Sequence, residues 1–357
     1  MKRTHVIRAV AVAAVAVGIA IPATSAIGAG TLTGAGSTLV QPLVQQVFGP
    51  DFQKSSGNGV QYFGVGSGAG INQITARAVD FGASDAPLTA SQAKSCGCDE
   101  VPWALSATGP AFNLPGVKAL NVSGPVLADM YLGTITMWND PKIQAINKGV
   151  SLPAMKIVPV YRSDSSGDTY AFTNFLYHAS SDWRGKGLTF ATTMNTSVVT
   201  GTGAPKNAGV AGIIKATPGA IGYVSTFYVR LNGLAEASVE NLAGKFVYPY
   251  IQDIAAAAAL VTKITPNSAI TIVNPAWTPP KKGVKKLTAT EKLQQIAYPI
   301  ATYTYAIVPT NPKQADLLKQ FLTFAITPAE EAKGNTLVFA ALPKAVVTAD
   351  TQTINGL

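Results

Sequence analysis

The stretch Val60-Gln61-Tyr62-Phe63-Gly64-Val65-Gly66-Ser67-Gly68-Ala69-Gly70-Ile71-Asn72-Gln73-Ile74-Thr75-Ala76-Arg77-Ala78 decides the fold class. Val60 to Val65 alternates and is rich in β-formers, and Ile71, Ile74 and Ala78 then recur at helical spacing. The segment reads as strand, tight glycine-rich turn, helix. Val79 to Ser84 is a further short strand, ending at Asp85. Ile157 to Tyr161 is another, followed by Arg162 to Asp168 and then a helical face of Phe172, Phe175 and Leu176. Thr38 likewise precedes a helical pattern in which Leu43 and Val47, and Val44 and Phe48, lie four apart. Strands alternating with helices imply an α/β architecture with mostly parallel pairing, to which Ala220 to Val224 and Ala301 to Val308 add strands. At 357 residues, two α/β lobes are favoured over one oversized sheet.

Composition narrows the class. The chain is 47% hydrophobic, and charged residues make up only 13%, which excludes intrinsic disorder and coiled coil. Two histidines, His5 and His178, and two cysteines, Cys96 and Cys98, leave almost no material for a zinc site or a histidine-based triad. No metal and no cofactor is expected.

The N-terminus reads as an export signal. Lys2, Arg3 and Arg8 precede an apolar run from residue 9 to 21, and Pro22-Ala23-Thr24-Ser25-Ala26 supplies the small residues of a cleavage site. That run is too short to span a bilayer. Cleavage near Ala26 removes those three cations and lowers the net charge from +9 to +6. A mild positive charge suits small anions, but no dense basic run with interleaved aromatics argues for nucleic acid. Lys281-Lys282 and Lys285-Lys286, beside Pro279-Pro280, read as a solvated loop. No cysteine opens the mature region, so no lipid attachment is expected there. Ala255 to Val261 is too short to span a membrane and reads as part of a packed helix. In an exported chain, Cys96-Gly97-Cys98 is expected to form a disulfide, and the small loop limits it to local stiffening.

Three segments share one design, a glycine- and hydroxyl-rich turn entering a helix: Gly34-Ala35-Gly36-Ser37-Thr38, Gly66-Ser67-Gly68-Ala69-Gly70 and Ser165-Ser166-Gly167-Asp168-Thr169. A helix start exposes unpaired N–H groups and the positive end of the dipole, and glycine lets an anion approach the backbone. Singly, each is more often an ordinary cap. Together, with Arg162 ahead of one, they argue for a tetrahedral oxyanion. The glycines match neither a P-loop nor a dinucleotide fingerprint, so free phosphate is preferred over a nucleotide.

The motifs Thr33-Gly34-Ala35-Gly36-Ser37-Thr38, Gly66-Ser67-Gly68, Val79-Asp80-Phe81-Gly82-Ala83-Ser84-Asp85-Ala86-Pro87-Leu88, Arg162-Ser163-Asp164-Ser165-Ser166-Gly167 and Pro218-Gly219-Ala220-Ile221-Gly222-Tyr223-Val224 together resemble the phosphate-binding proteins of ABC-type phosphate importers. Tyr131-Leu132-Gly133, Trp138-Asn139-Asp140-Pro141 and Ala341-Leu342-Pro343 extend the likeness over nearly the whole mature chain, and the string from Asp80 to Leu88 is its most specific element.

The resemblance implies a two-lobed periplasmic binding protein fold of type II, its α/β lobes joined by two crossovers near Val101 to Gly109 and Tyr298 to Tyr303. Lobe 1 would combine residues 27–105 with 300–357 and lobe 2 would span 106–299, the pair closing on phosphate by a hinge. It also implies a ligand set. Thr38, the Leu39 backbone, Ser67 and Asp85 would come from lobe 1; Arg162, Ser166, Gly167 and Asp168 from lobe 2. Asp164 would pair with Arg162 or remain a solvated acid. Asp85 would test the ligand for a proton, because a carboxylate can only accept. Fully ionised sulfate would leave two acceptors facing each other. The family usually carries Thr where this chain has Asp168. Either Asp168 turns away to cap the helix while Thr169 lends a hydroxyl, or it faces the ligand and selects a more protonated phosphate.

The expected function is extracytoplasmic capture of inorganic phosphate by a monomer that delivers it to an ABC permease, with no catalysis. A secreted phosphatase-like relative on the same fold is the alternative, and an adhesin that binds nothing in the turns is a third reading. His178 is the only imidazole of the mature chain, and its aromatic-rich helix reads as packing.

Overall fold

In the computed structural model, described over residues 30–264, 272 and 287–357, the alternation read from Val60 onward becomes a strand and a helix in the expected order. The strand is Gly59–Gly64 and the helix Ser67–Thr75, which buries Gly70, Ile71 and Ile74. The helix ends before Ala78 because Arg77 adopts a φ of 55° and its guanidinium donates to the Ile74 carbonyl at 2.8 Å. The expected signal segment and the Lys281 to Lys286 loop lie outside the described residues.

In chain order the strands are β1 Thr31–Gly36, β2 Gly59–Gly64, β3 Phe81–Ser84, β4 Cys98–Phe112, β5 Asn121–Val122, β6 Val158–Arg162, β7 Thr202–Ala204, β8 Ala220–Ser225, β9 Ala235–Glu236, β10 Ser238–Glu240, β11 Phe246–Val247 and β12 Ala301–Pro309. A continuous path runs β2-β1-β3-β12-β4-β8-β6-β7, with β9 beside β4. A small second sheet orders β11-β10-β5. The expectation of mostly parallel pairing is corrected. β1 is parallel to β2 and β3, and β6 to β7 and β8, but β12 and β4 run antiparallel to each other and to their outer neighbours β3 and β8. A local strand–helix pattern sees the parallel units; it does not see strands that leave one unit for the other.

β4 makes that passage. Its residues Cys98 to Ala107 pair with β12, and Thr108 to Phe112 pair with β8. Two α/β halves thus share one strand path, with β4 and β12 at its centre, as the two-lobed expectation requires. Trp103 of β4 anchors one side of the core, touching the rings of Phe48, Phe81 and Phe321. On the other side Tyr223 stacks on Phe172 at a centroid distance of 4.5 Å, and Tyr131 packs beside both. Such rings bury large apolar areas and fix the strands against their helices.

The helix Ile251–Ala259 buries Ala256, Ala257 and Ala258, which accounts for the alanine run as packing. No helix among the described residues is long and apolar enough to cross a membrane. Cys96 and Cys98 are joined as a disulfide, with Arg77 Nη1 3.6 and 3.7 Å from the two sulfurs. His178 is a correction: it is exposed rather than packed inside, and its ring lies parallel to that of Phe190.

Candidate ligand-binding site

Every hydroxyl-rich turn of the sequence lies at the carboxyl end of a strand, the end where open α/β sheets present ligand sites. β1 runs into Ser37 and Thr38, β3 into Asp85, and β6 through Arg162 to Ser166, the N-cap of the helix Gly167–Ala179. Asp80, part of the most specific motif, has a structural task. Its carboxylate accepts from the Thr33 N–H and hydroxyl at 2.7 and 2.8 Å, tying β1 to the approach of β3.

Asp85 is 2% exposed. The Ser37 hydroxyl lies 2.7 and 2.6 Å from its two oxygens, the Thr304 hydroxyl donates to Oδ1 at 2.5 Å, and Ser67 Oγ stands 3.5 Å from Oδ2. Thr302 and Thr304 share one face of β12 by strand alternation, and Thr302 donates to the Asp85 carbonyl at 3.2 Å. Ser37 is itself held, since Tyr62 donates to its carbonyl at 2.8 Å. Burial and the charge of Asp168 push the Asp85 carboxyl well above the usual range, against the hydroxyls of Ser37 and Thr304 and the Arg162 charge.

Arg162, also 2% exposed, faces this acid from the other half. Its Nε and Nη2 each donate to Asp164 at 2.7 Å, a bidentate fork, and Nη1 donates to Asp168 at 3.0 Å. Burial works against the Arg162 charge, but the Asp164 hydrogen bond and the charges of Asp168 and Asp164 hold its pKa above the ordinary value. Asp164 is held below its own ordinary value: burial opposes its charge, and the bonds and charge of Arg162 prevail. One guanidinium thus stands among the carboxylates of Asp85, Asp164 and Asp168.

The structure corrects the expectation that Asp168 caps the helix. Ser166, not Asp168, caps the helix by accepting from the Thr169 N–H at 3.4 Å. Thr169 does not lend its hydroxyl to the cleft, because that group lies 2.8 Å from the Tyr223 hydroxyl. The Asp168 carboxylate, 1% exposed, takes three protein donors: Thr108 on Oδ1 at 2.7 Å, and Arg162 and Asn207 on Oδ2 at 3.0 and 2.8 Å. The Leu39 N–H is engaged locally with Ser37 Oγ at 3.0 Å.

The halves meet directly. The Gly167 N–H donates to Ser67 Oγ at 3.1 Å, the Gly68 N–H to the Ser165 carbonyl at 3.2 Å, and Asn207 Nδ2 to Thr38 Oγ1 at 3.0 Å. Thr38, Ser67, Asp85, Arg162, Gly167 and Asp168 therefore fall in two neighbouring hydrogen-bonded groups, Asp85–Ser67–Gly167 and Thr38–Asn207–Asp168–Arg162, close enough for the charges of Asp168 and Arg162 to act on Asp85. The sequence reading missed Asn207, Thr108, Thr304 and Tyr223, whose hydroxyl accepts from the Arg162 N–H at 3.0 Å. Among the described residues no cluster of His, Cys, Asp and Glu could hold a metal ion.

Residues 22–329 match the model of the PBP superfamily domain. A phosphate-binding protein PstS of Xylella fastidiosa strain Temecula1 is 35% identical over 297 residues, covering 82% of this chain and 76% of the relative. The chain belongs to the PstS family of phosphate-binding proteins. The PstS protein of Methanocaldococcus jannaschii is 32% identical over 334 residues, covering 85% of this chain and 81% of that one. Among solved structures, the high-affinity periplasmic phosphate-binding protein PfluDING with bound phosphate superimposes with a TM-score of 0.67 at 23% identity. That match covers 89% of this chain and 92% of the other, a likeness of fold. The curated PstS relatives are named as phosphate-binding proteins.

Proposed function

We propose that this PstS-family protein captures inorganic phosphate between its lobes outside the cytoplasm and delivers it to an ABC-type permease, without chemistry of its own. The observation that carries the reading is Asp85: a buried carboxylate in a cage of hydroxyls, opposite the one buried guanidinium of the other half. In our reading residues 27–105 with 300–357 form lobe 1 and 106–299 form lobe 2, and the segments passing between them run through β4 and into β12. The export signal is removed near Ala26, and the protein acts as a monomer.

Thr38, Ser67, Asp85, Arg162 and Gly167 are the groups proposed to touch phosphate. Leu39 and Ser166 are proposed to complete the set, giving up bonds within the protein as Ser67 and Gly167 do, and Asp168 orders the site through Arg162 and Asn207. Arg162 keeps two N–H groups beyond the three given to Asp164 and Asp168, and these can meet two phosphate oxygens. Asp164 fixes the plane of that fork. Ionised Asp85 accepts the proton of hydrogen phosphate or dihydrogen phosphate. Sulfate brings no proton, and two desolvated acceptors left face to face cost several kcal/mol.

Equilibrium binding of labelled phosphate with sulfate as competitor tests the reading. Sulfate should fail to displace phosphate even in large excess, and displacement at comparable concentration overturns the assignment. Sustained turnover of a phosphomonoester, abolished by Arg162→Ala, would favour the phosphatase-like alternative instead.

A further inference from the structure

Asn207 is fully buried at the start of the helix Lys206–Ala216, and both N–H groups and the oxygen of its amide are engaged. Oδ1 accepts from the Ser225 N–H at 2.8 Å. Nδ2 donates to Asp168 Oδ2 at 2.8 Å and, across the cleft, to Thr38 Oγ1 at 3.0 Å. The orientation of the amide follows from chemistry: a backbone N–H can only donate, so the oxygen must face Ser225, and the nitrogen then faces two oxygens. The preceding residue supports a built arrangement. Lys206 holds a φ of 60°, uncommon for a residue with a side chain, and its N–H donates to Asp164 Oδ1 at 3.0 Å. That turn directs the next side chain into the cleft.

We propose that Asn207 is the positioning residue that couples lobe closure to phosphate: its amide latches Thr38 of lobe 1 to the Arg162–Asp168 pair of lobe 2 and turns the Thr38 hydroxyl into a donor for the anion. This rests on the phosphate reading above. A hydroxyl has one proton and accepts through its lone pairs. With the amide proton taken on the oxygen, the Thr38 proton is the part left to give. The same Nδ2 holds Asp168 Oδ2 alongside Arg162 Nη1, so the guanidinium and the hydroxyl are set by one group. Opening the cleft breaks only the bond to Thr38, and those to Asp168 and Ser225 stay within one half. Asn207 therefore acts on the closed complex, and its removal is read in dissociation.

The test measures phosphate association and dissociation by stopped flow for wild type, Asn207→Ala, Asn207→Ser, Thr38→Ala and the double variant Asn207→Ala/Thr38→Ala, with melting curves taken without phosphate. Asn207→Ser keeps a polar side chain at the helix start and sets no second carboxylate against Asp168 Oδ2, so it guards against a variant that fails to fold. Both single Asn207 variants should raise the dissociation rate about 10-fold with association changed less than about 2-fold. Thr38→Ala should cost at least about 3-fold less in the Asn207→Ala background than in wild type, the mark of coupled residues. Dissociation rates within about 2-fold of wild type in both Asn207 variants, or strictly multiplicative effects of Asn207→Ala and Thr38→Ala, overturn the inference while leaving the phosphate site standing. Wild type that ignores phosphate overturns the site reading, and the inference with it.

Discussion

Gly167→Ala should open the clamp without unfolding the protein. Gly167 begins a helix with ordinary backbone angles, so alanine is tolerated conformationally; the obstacle lies across the cleft. A Cβ at Gly167 would stand 2.4 Å from Asp85 Cβ, 2.6 Å from its Cα and 2.7 Å from its carbonyl carbon. Carbon atoms settle at about 3.5 to 4.0 Å, so the halves must part by about 1 to 1.5 Å at this point. That movement takes the Gly167–Ser67 and Gly68–Ser165 bonds, at 3.1 and 3.2 Å, out of hydrogen-bonding range, along with the 3.0 Å Asn207–Thr38 bond nearby. At about 1 kcal/mol net for each, closure loses about 3 kcal/mol, a Kd raised on the order of 100-fold. Titration calorimetry with phosphate reads the affinity, and a melting curve without ligand reads the fold. Gly212→Ala, where a Cβ meets nothing within 4 Å, is the control and should bind as wild type. A Gly167→Ala protein that binds within about 3-fold of wild type refutes the closed geometry.

Arg162→Lys keeps the charge but loses the fork; affinity for phosphate should fall at least about 100-fold in the same calorimetric titration, because the bidentate bonds to Asp164 cannot be reproduced. Asp350 and Glu331 form a buried acidic pair beside Glu330 and Tyr303; burial and then the Glu331 charge push Asp350 up to about 9, and burial pushes Glu331 up to about 8 against the Leu342 N–H. Folded pKa values raised in this way give stability that is full below about pH 4 and is lost as pH rises towards 9, so Asp350→Asn should melt higher than wild type by a margin that grows from pH 5 to pH 9; a flat margin contradicts the pair. Replacing Cys96 and Cys98 together by Ser should lower the melting temperature by only a few degrees, since a bridge over one intervening residue restrains the unfolded chain by about 1.5 kcal/mol; a collapse of the fold on reduction would show a larger role.

The parts of this molecule written in local sequence were legible, and those assembled from distant segments were not. The turns at Ser37, Ser67 and Ser166 carry their own signal, a strand giving way to glycine, hydroxyls and a helical face. Thr304 and Thr108 reach the two buried carboxylates from β12 and β4, and nothing in their neighbourhoods marks one threonine above its neighbours. Asn207 had a faint signal, a polar residue at a helix start just after Pro205, but its partners are 169 and 39 residues away. β4 is obscured in another way. Pro102 and Pro110 lie inside it, where proline usually argues against a central strand. The register between β12 and β4 shifts at Thr304 and Tyr305, close to Pro102, so the ladder accommodates the missing donor with a local irregularity.

The glycines carry a different meaning in the structure from the one their motifs suggest. A glycine before a helix suggests room for an anion at the backbone. Here the space that a side chain would fill is already taken by the opposite half: at Gly66 by Asp164 Oδ2 at 2.7 Å, at Gly68 by Ser165 Cβ at 2.4 Å, at Gly167 by Asp85. Gly66 also has a φ of 97°, which disfavours any other residue independently. Each turn is bare where it meets the facing turn, so backbone N–H groups of one half reach oxygens of the other. Gly66→Ala and Gly68→Ala should then weaken phosphate binding through closure, with dissociation faster; Gly68→Ala leaves the isolated fold intact, and Gly66→Ala also melts lower because of its φ. If either variant instead slows association alone, the glycines serve entry of the anion, and the contact between the halves is incidental.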